Sequence, residues 1–239
     1  MLLVAMPGWA TFQHAEQLVV DGKTFDLLMF PLDPWIRSHP DAIPDYGITS
    51  TNNWRGYRGY WRIADGRLWL TKLTVQAPGP ITKVKGGSID LGPDGSFAPG
   101  DPNEEIELPT FVDRDVLPQL FQGSNRVFAD WFTGTLVTMA DEVDGVINYD
   151  GKDHRYLVIW VTRGQVDKQM EIDQRQFEEF KQGKFAAYKR TALYAQRVAE
   201  FEQGRREHPE IEYDDTVEQS IANFMTAEYL AVDAEAPLP

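Results

Sequence analysis

Two alternating runs of aromatic and aliphatic residues joined by an Asp-Gly pair constrain this chain more than any other feature. The clearest copy spans Tyr57 to Leu73, with Asp65-Gly66 between its halves. Alternation at period two buries one side of each run, and Gly tolerates the positive φ of a two-residue turn, so the pattern predicts an antiparallel β-hairpin. On its first strand Tyr57, Gly59, Trp61 and Ile63 share one face while Arg58, Tyr60 and Arg62 share the other. Trp61 and Ile63 are expected inward and the arginines outward. The return strand is apolar on both faces, with Leu68 and Leu70 on one and Trp69 and Leu73 on the other. That predicts two-sided burial, as in a sandwich or a strongly curved sheet.

A shorter copy, Leu18-Val19-Val20 then Asp21-Gly22-Lys23 then Phe25 to Phe30, predicts a second hairpin. Pro31, Pro34, Pro40 and Pro44 follow and predict loop or edge structure, pinned to the core by Trp35 and Ile36. Residues 76–103 are broken by Gly and Pro, so a long excursion is expected there, with short strands at 81–85 and 88–91. A short helix is expected over Asp113–Phe121. Val127 to Val137 reads as one buried strand bent at Gly134, and runs at 143–149 and 156–161 complete the β-rich part.

From Glu171 the period turns helical. A first helix is expected after an Asp173 cap, stopping at Gly183. A longer one is expected from Phe185, ended by Gly204 and Pro209, and a third after the capping-box-like Asp215-Thr216-Val217-Glu218. The closing Asp233–Pro239 is expected to fray. No stretch reads as a linker. The expected fold is therefore a single α+β domain over 1–239. Its mostly antiparallel sheet, a sandwich or a curved sheet, spans about 15–167, and two or three C-terminal helices follow over 171–230.

Charge and composition exclude some functions. The chain has 239 residues and no Cys, which rules out disulfides, thiolate metal sites and Cys nucleophiles, and fits a reducing compartment. Met1-Leu2-Leu3-Val4-Ala5-Met6 is apolar but lacks a basic flank and is interrupted by Pro7-Gly8. No apolar run approaches the ~20 residues of a membrane span. A cytoplasmic protein with no membrane partner is expected. The net charge of −14 argues against general nucleic-acid binding, which needs a surplus of Lys and Arg. From Glu207 to Pro239 there are nine acidic residues and no Lys or Arg. Within that stretch Glu210, Glu212, Asp214 and Asp215 are expected to face a basic protein partner.

Candidate chemistry is sparse. The four histidines have no second His or carboxylate at helical metal spacing, so no metal or other cofactor is expected. Asp153-His154 has acid/base character but falls in a turn. The polar stretch Ser50 to Gly56 leads into the strongest hairpin and holds Trp54 and Arg55. Together with Arg58, Tyr60, Arg62 and Arg67 it forms a candidate basic patch suited to a phosphate or carboxylate. Asp130 lies between Ala129 and Trp131 in an apolar run, so it is expected to be partly buried and to titrate abnormally. Gly86-Gly87-Ser88 and Gly92-Pro93-Asp94-Gly95 lack the Lys-Ser/Thr of a phosphate loop, and Asp94, Asp101, Glu104 and Glu105 match no calcium loop.

Two blocks, Gly59 to Leu70 and Val127 to Leu136, resemble blocks in a group of uncharacterised bacterial proteins. The resemblance implies a bacterial or phage-associated cytosolic protein and brings no catalytic residue with it. The leading functional expectation is a non-enzymatic acidic binding protein, of the immunity or inhibitor kind, that occludes a basic toxin or effector. Abundant Trp and Tyr suit such an interface. The alternatives are an enzyme or small-ligand binder, with its site where the 50–58 loop meets Asp130, and a structural or assembly protein.

Overall fold

Three tight turns organise the sheet. Asp21-Gly22 (φ 50° and 81°), Asp65-Gly66 (52° and 67°) and Arg163-Gly164 (46° and 75°) all place two successive residues at positive φ, the type I′ geometry that matches strand twist. The first joins β1 (Gln17–Val20) to β2 (Lys23–Asp26), which lead into α1 (Asp33–Ser38). The second joins β3 (Tyr57–Ala64) to β4 (Arg67–Lys85). Then come β5 (Ile89–Leu91), β6 (Phe97–Pro99), β7 (Glu105–Asp115), α2 (Leu117–Leu120), β8 (Val127–Phe128) and β9 (Gly134–Met139). The third turn joins β10 (Arg155–Thr162) to β11 (Gln165–Asp173). Four helices close the chain: α3 (Gln174–Tyr188), α4 (Ala192–Glu207), α5 (Val217–Phe224) and α6 (Thr226–Ala231). This computed structural model describes residues 14–43, 53, 55–85, 89–91, 97–99, 105–140 and 154–232.

The protein is α+β, with a nine-stranded, mostly antiparallel sheet followed by C-terminal helices. The strand order is β2-β1-β3-β4-β11-β10-β9, with β7 and β8 also paired to β4. Among the described residues one pair, β1 with β3, is parallel. The two ends of this path meet. Leu27 bridges Thr138, and Leu28 N–H donates to the Val137 carbonyl at 2.9 Å, so the sheet curls back on itself. Its interior holds Leu18, Trp61, Leu70, Leu136 and Val158, all at most 1% exposed.

A bulge explains why β4 is apolar on both faces. Tyr60 pairs with Lys72 but Trp61 pairs with Leu70, so Thr71 is one residue too many. Its hydroxyl donates to the Tyr60 carbonyl at 3.0 Å. Buried parity therefore switches from Leu68 and Leu70 to Leu73, Val75 and Ala77 without leaving the same interior.

Several expected elements differ. Residues 76–85 are strand rather than a loop excursion, because β4 continues through Pro78 and Pro80 as one arm of a long ribbon with β7. The helix expected over Asp113–Phe121 shrinks to Leu117–Leu120, because β7 extends to Asp115, whose carboxylate accepts from Leu117 N–H at 3.0 Å. Residues 127–137 split into β8 and β9. Pro34 opens α1 rather than forcing a loop, since its missing N–H costs nothing in a first turn. α3 runs through Gly183 because Phe177, Phe180, Lys184, Ala187 and Tyr188 form one continuous buried stripe. The α5 cap is Thr216, which shares a capping box with Gln219, one residue beyond the expected Asp215. The expected Asp173 cap is present, with Gln176 completing its box. The run at 143–149 and the tail from Asp233 lie outside the described residues.

Helices and sheet share one apolar interior. Tyr156 stacks on Phe177 at 3.9 Å, Trp160 meets Phe180 edge-on at 6.2 Å, and the Thr135 hydroxyl donates to the Leu230 carbonyl at 2.5 Å. α6 sits so close to β9 that a Cβ on Gly134 would run into the Ala231 carbonyl oxygen. Gly134→Ala is therefore expected to displace α6 and destabilise the fold by about 1–3 kcal/mol or more. Urea unfolding measures the loss, and hydrogen exchange should show it concentrated over 226–231.

Candidate functional site

The sheet's parity buries an acid. Glu16 alternates with Leu18 and Val20 onto the inward face of the first strand and has no exposed surface. A buried carboxylate needs donors. Trp61 N–H (Nε1) donates to its Oε2 at 2.6 Å, and Arg55 Nη1 reaches Oε1 at 3.1 Å. Arg55 also donates through Nη2 to the His14 carbonyl at 2.9 Å, and Arg58 Nε donates to the Ala15 carbonyl at 2.7 Å. The Arg55 guanidinium lies 3.2 Å from the centre of the Phe30 ring. Residues 14–16 are thus clasped by side chains from the β3 region. Gly59 makes room, since a Cβ there would stand 2.6 Å from Glu16 Oε2 and 2.8 Å from Trp61 Nε1.

The clasp continues to α1. The Tyr57 hydroxyl donates to the Asp33 carboxylate at the start of that helix. Burial raises the Glu16 carboxyl to about 7, against the opposing pull of Arg55 and the Trp61 hydrogen bond. Burial likewise raises Asp33 and the Tyr57 hydroxyl. Two buried polar atoms here, Asn53 Oδ1 and Arg55 Nε, have no hydrogen-bond partner.

Above the clasp lies a groove of about 820 Å³. Three segments build it. α1 and the residue after it supply Trp35 and His39, the turn after α2 supplies Phe121, and the stretch around β8 supplies Arg126, Asp130 and Trp131. Phe121 and Trp131 stack at 6.1 Å, Trp35 lies 5.0 Å from Phe121 and 6.3 Å from Trp131, and His39 stacks on Trp35 at 4.4 Å. The rings touch one another and so form a floor. Trp131 also packs on Trp61 at 6.4 Å, so a single aromatic step joins the groove to the Glu16 clasp.

The groove's charged residues are not neutralised by each other. Asp130 is exposed, not partly buried as expected, because the chain leaves β8 at Phe128 and turns outward through Ala129–Phe132. No salt bridge engages it among the described residues. Arg126 stands 4.5 Å over the Trp69 ring. His39 Nδ1 lies 3.0 Å from both the Trp35 carbonyl oxygen and the Ser38 hydroxyl.

The other sequence candidates are dispersed. Arg55 is drawn into the clasp and Asp130 lines the groove, so the two do not share a cavity. Arg58 and Lys72 flank Tyr60 on the outer face at 5.4 and 5.1 Å, while Arg62 is exposed and Arg67 lies 5.7 Å over Phe128. The four arginines therefore do not converge. Trp54, Ser50 to Asn52 and Asp153 lie outside the described residues, as do residues 86–88, 92–96 and 100–104.

Glu210, Glu212, Asp214 and Asp215 are exposed between α4 and α5. Glu210 pairs with His208 at 3.1 Å, and the Asp215 carbonyl accepts from Arg205 at 2.5 Å. Farther along, Glu218 and Glu228 are taken up by Lys189 and Arg197. Among the described residues no three His, Asp or Glu gather as a metal site would require, and no helix is long and apolar enough to cross a membrane.

The raised Glu16 carboxyl has a consequence for stability. Between about pH 4.5 and 7 the folded chain keeps a proton that the unfolded chain has released. Stability is therefore expected to fall across that window as pH rises, by about 3 kcal/mol, and to level off above it. Glu16→Gln should remove most of this slope, leaving the smaller slope of the same sign from Asp33. Urea unfolding of both proteins at pH 5 and pH 8 checks it; equal slopes would contradict it.

No protein-family model, curated protein or solved structure matches this chain.

Proposed function

We propose that this chain is a non-enzymatic binding protein whose aromatic groove takes a cationic side chain from a basic protein partner. The observation that carries this reading is Asp130, an exposed carboxylate with no ion pair among the described residues, beside a floor of mutually packed rings. Guanidinium groups stack on aromatic faces and pair with carboxylates, and Arg, Trp and Tyr dominate binding hot spots. Arg126 lines the same groove, with its guanidinium 4.5 Å over the Trp69 ring. The net charge of −14, with Glu212, Asp214 and Asp215 exposed between α4 and α5, favours fast encounter with a basic surface. An occluding inhibitor or immunity protein is one member of this class.

Short capped peptides test the groove directly. A Gly-Arg-Gly peptide is expected to shift the indole N–H resonances of Trp35 and Trp131, and a Gly-citrulline-Gly peptide of the same shape to bind roughly three- to thirtyfold more weakly. Asp130→Asn should reduce arginine-peptide binding while leaving the unfolding midpoint unchanged. Equal response to both peptides, or none to either, would overturn the reading.

A further inference from the structure

Beyond residue 76 the β4–β7 pair leaves the body of the sheet as a two-stranded ribbon. Register runs from Gln76↔Asp113 to Lys85↔Glu105, and in this stretch neither strand has a third strand beside it among the described residues. Phe111 and Val112 are neighbours, so they point to opposite faces, yet both are more than 40% exposed, and Ile81 is 64% exposed. A two-stranded ribbon open on both faces is marginal in water. A partner that covered its exposed apolar residues would stabilise it. Strand addition along its edges is disfavoured, because Pro78, Pro80 and Pro109 lack the N–H that a new ladder needs. That leaves its faces.

One face is self-complementary. Ile81, Lys83 and Lys85 alternate onto it from β4, and Glu105, Glu107 and Phe111 from β7, with Lys83 registered against Glu107 and Lys85 against Glu105. A row of positive charge therefore runs beside a row of negative charge, above two exposed apolar residues. Lys83 and Glu107 pair at 3.3 Å while both stay about 60% exposed, at 61% and 58%. In a chain of net charge −14 this face is locally balanced, so two copies can meet there without like-charge repulsion.

We propose that the ribbon is a dimerisation arm whose partner is a second copy of this chain. A two-fold axis running along the ribbon lays β4 of one copy over β7 of the other. Lys83 and Lys85 then face Glu107 and Glu105 of the second copy at matching heights, and Ile81 and Phe111 close together at the base. The alternative two-fold, across the ribbon, would set lysine rows against each other. The surface is isologous, the same patch serving both copies. A few residues from each copy fall well short of the roughly 20–30 a side of a standard interface, so the dimer is weak.

The test uses the full chain in sedimentation equilibrium from about 1 μM to 1 mM. The unaltered protein should pass from monomer to dimer. Lys83→Glu with Lys85→Glu makes the face uniformly negative, and Glu105→Lys with Glu107→Lys makes it uniformly positive; each should weaken dimerisation at least tenfold, and an equimolar mixture of the two should restore it as a heterodimer. Ile81→Asp with Phe111→Asp supplies a charge-independent variant outside the core, expected to be monomeric with an unchanged circular-dichroism spectrum. All these variants should keep the groove's response to the arginine peptide, which separates failure here from failure of the proposed function. An unaltered protein that stays monomeric at 1 mM, charge variants that dimerise as tightly as it does, or a mixture that restores nothing would each overturn the proposal.

Discussion

A single buried carboxylate holds the architecture of this protein in place. Glu16 sits where an apolar residue would be the simpler choice, and burying it imposes demands on four neighbours. Arg55 must bring a positive charge, Trp61 must turn its indole N–H inward, Gly59 must lack a side chain, and Arg58 must secure the adjacent backbone. Those demands fix the parallel pairing of β1 against β3. A hydrophobic residue could stabilise the same position as well or better. What the ionisable group adds here is placement, because it specifies which face of Trp61 lies inward and so where Trp131 rests upon it.

From that placement the groove follows. Trp131 rests on Trp61, Phe121 and Trp35 rest on Trp131, and α1, which carries Trp35, is tied down at its first residue by Tyr57. The groove's floor is therefore aromatic area backed by the interior through Trp61. Rings packed against one another have little conformational entropy left to lose, which supports the proposed binding role. The ribbon arm is the opposite kind of element, projecting from the sheet with its apolar residues uncovered.

The hairpins were legible because Asp-Gly at the tip and period-two flanks are local signals, and local signals survive without tertiary knowledge. The acid at position 16 was legible in principle too, since it keeps step with Leu18 and Val20, but parity alone does not say that an arginine 39 residues later will arrive to pair with it. Asp130 misled for the complementary reason. Its neighbours Ala129 and Phe132 are buried, yet the chain turns between them and leaves the acid outside. The ribbon was hidden by Pro78 and Pro80, which read as breakers; an edge without a further partner strand tolerates both. The groove joins residues 35–39 to residues 120–131 about eighty positions later, and no spacing rule connects the two.

The Trp61 indole proton reports most directly on the claim that a buried, partly protonated Glu16 organises both clasp and groove. Its NMR resonance, followed from pH 5 to pH 9, should move with a midpoint near 7, since the carboxylate it donates to titrates there. The Trp131 indole should move in step, through the ring contact between them. A resonance that titrates near 4.5, or stays flat across the range, would show that Glu16 is not the buried acid on which this account rests.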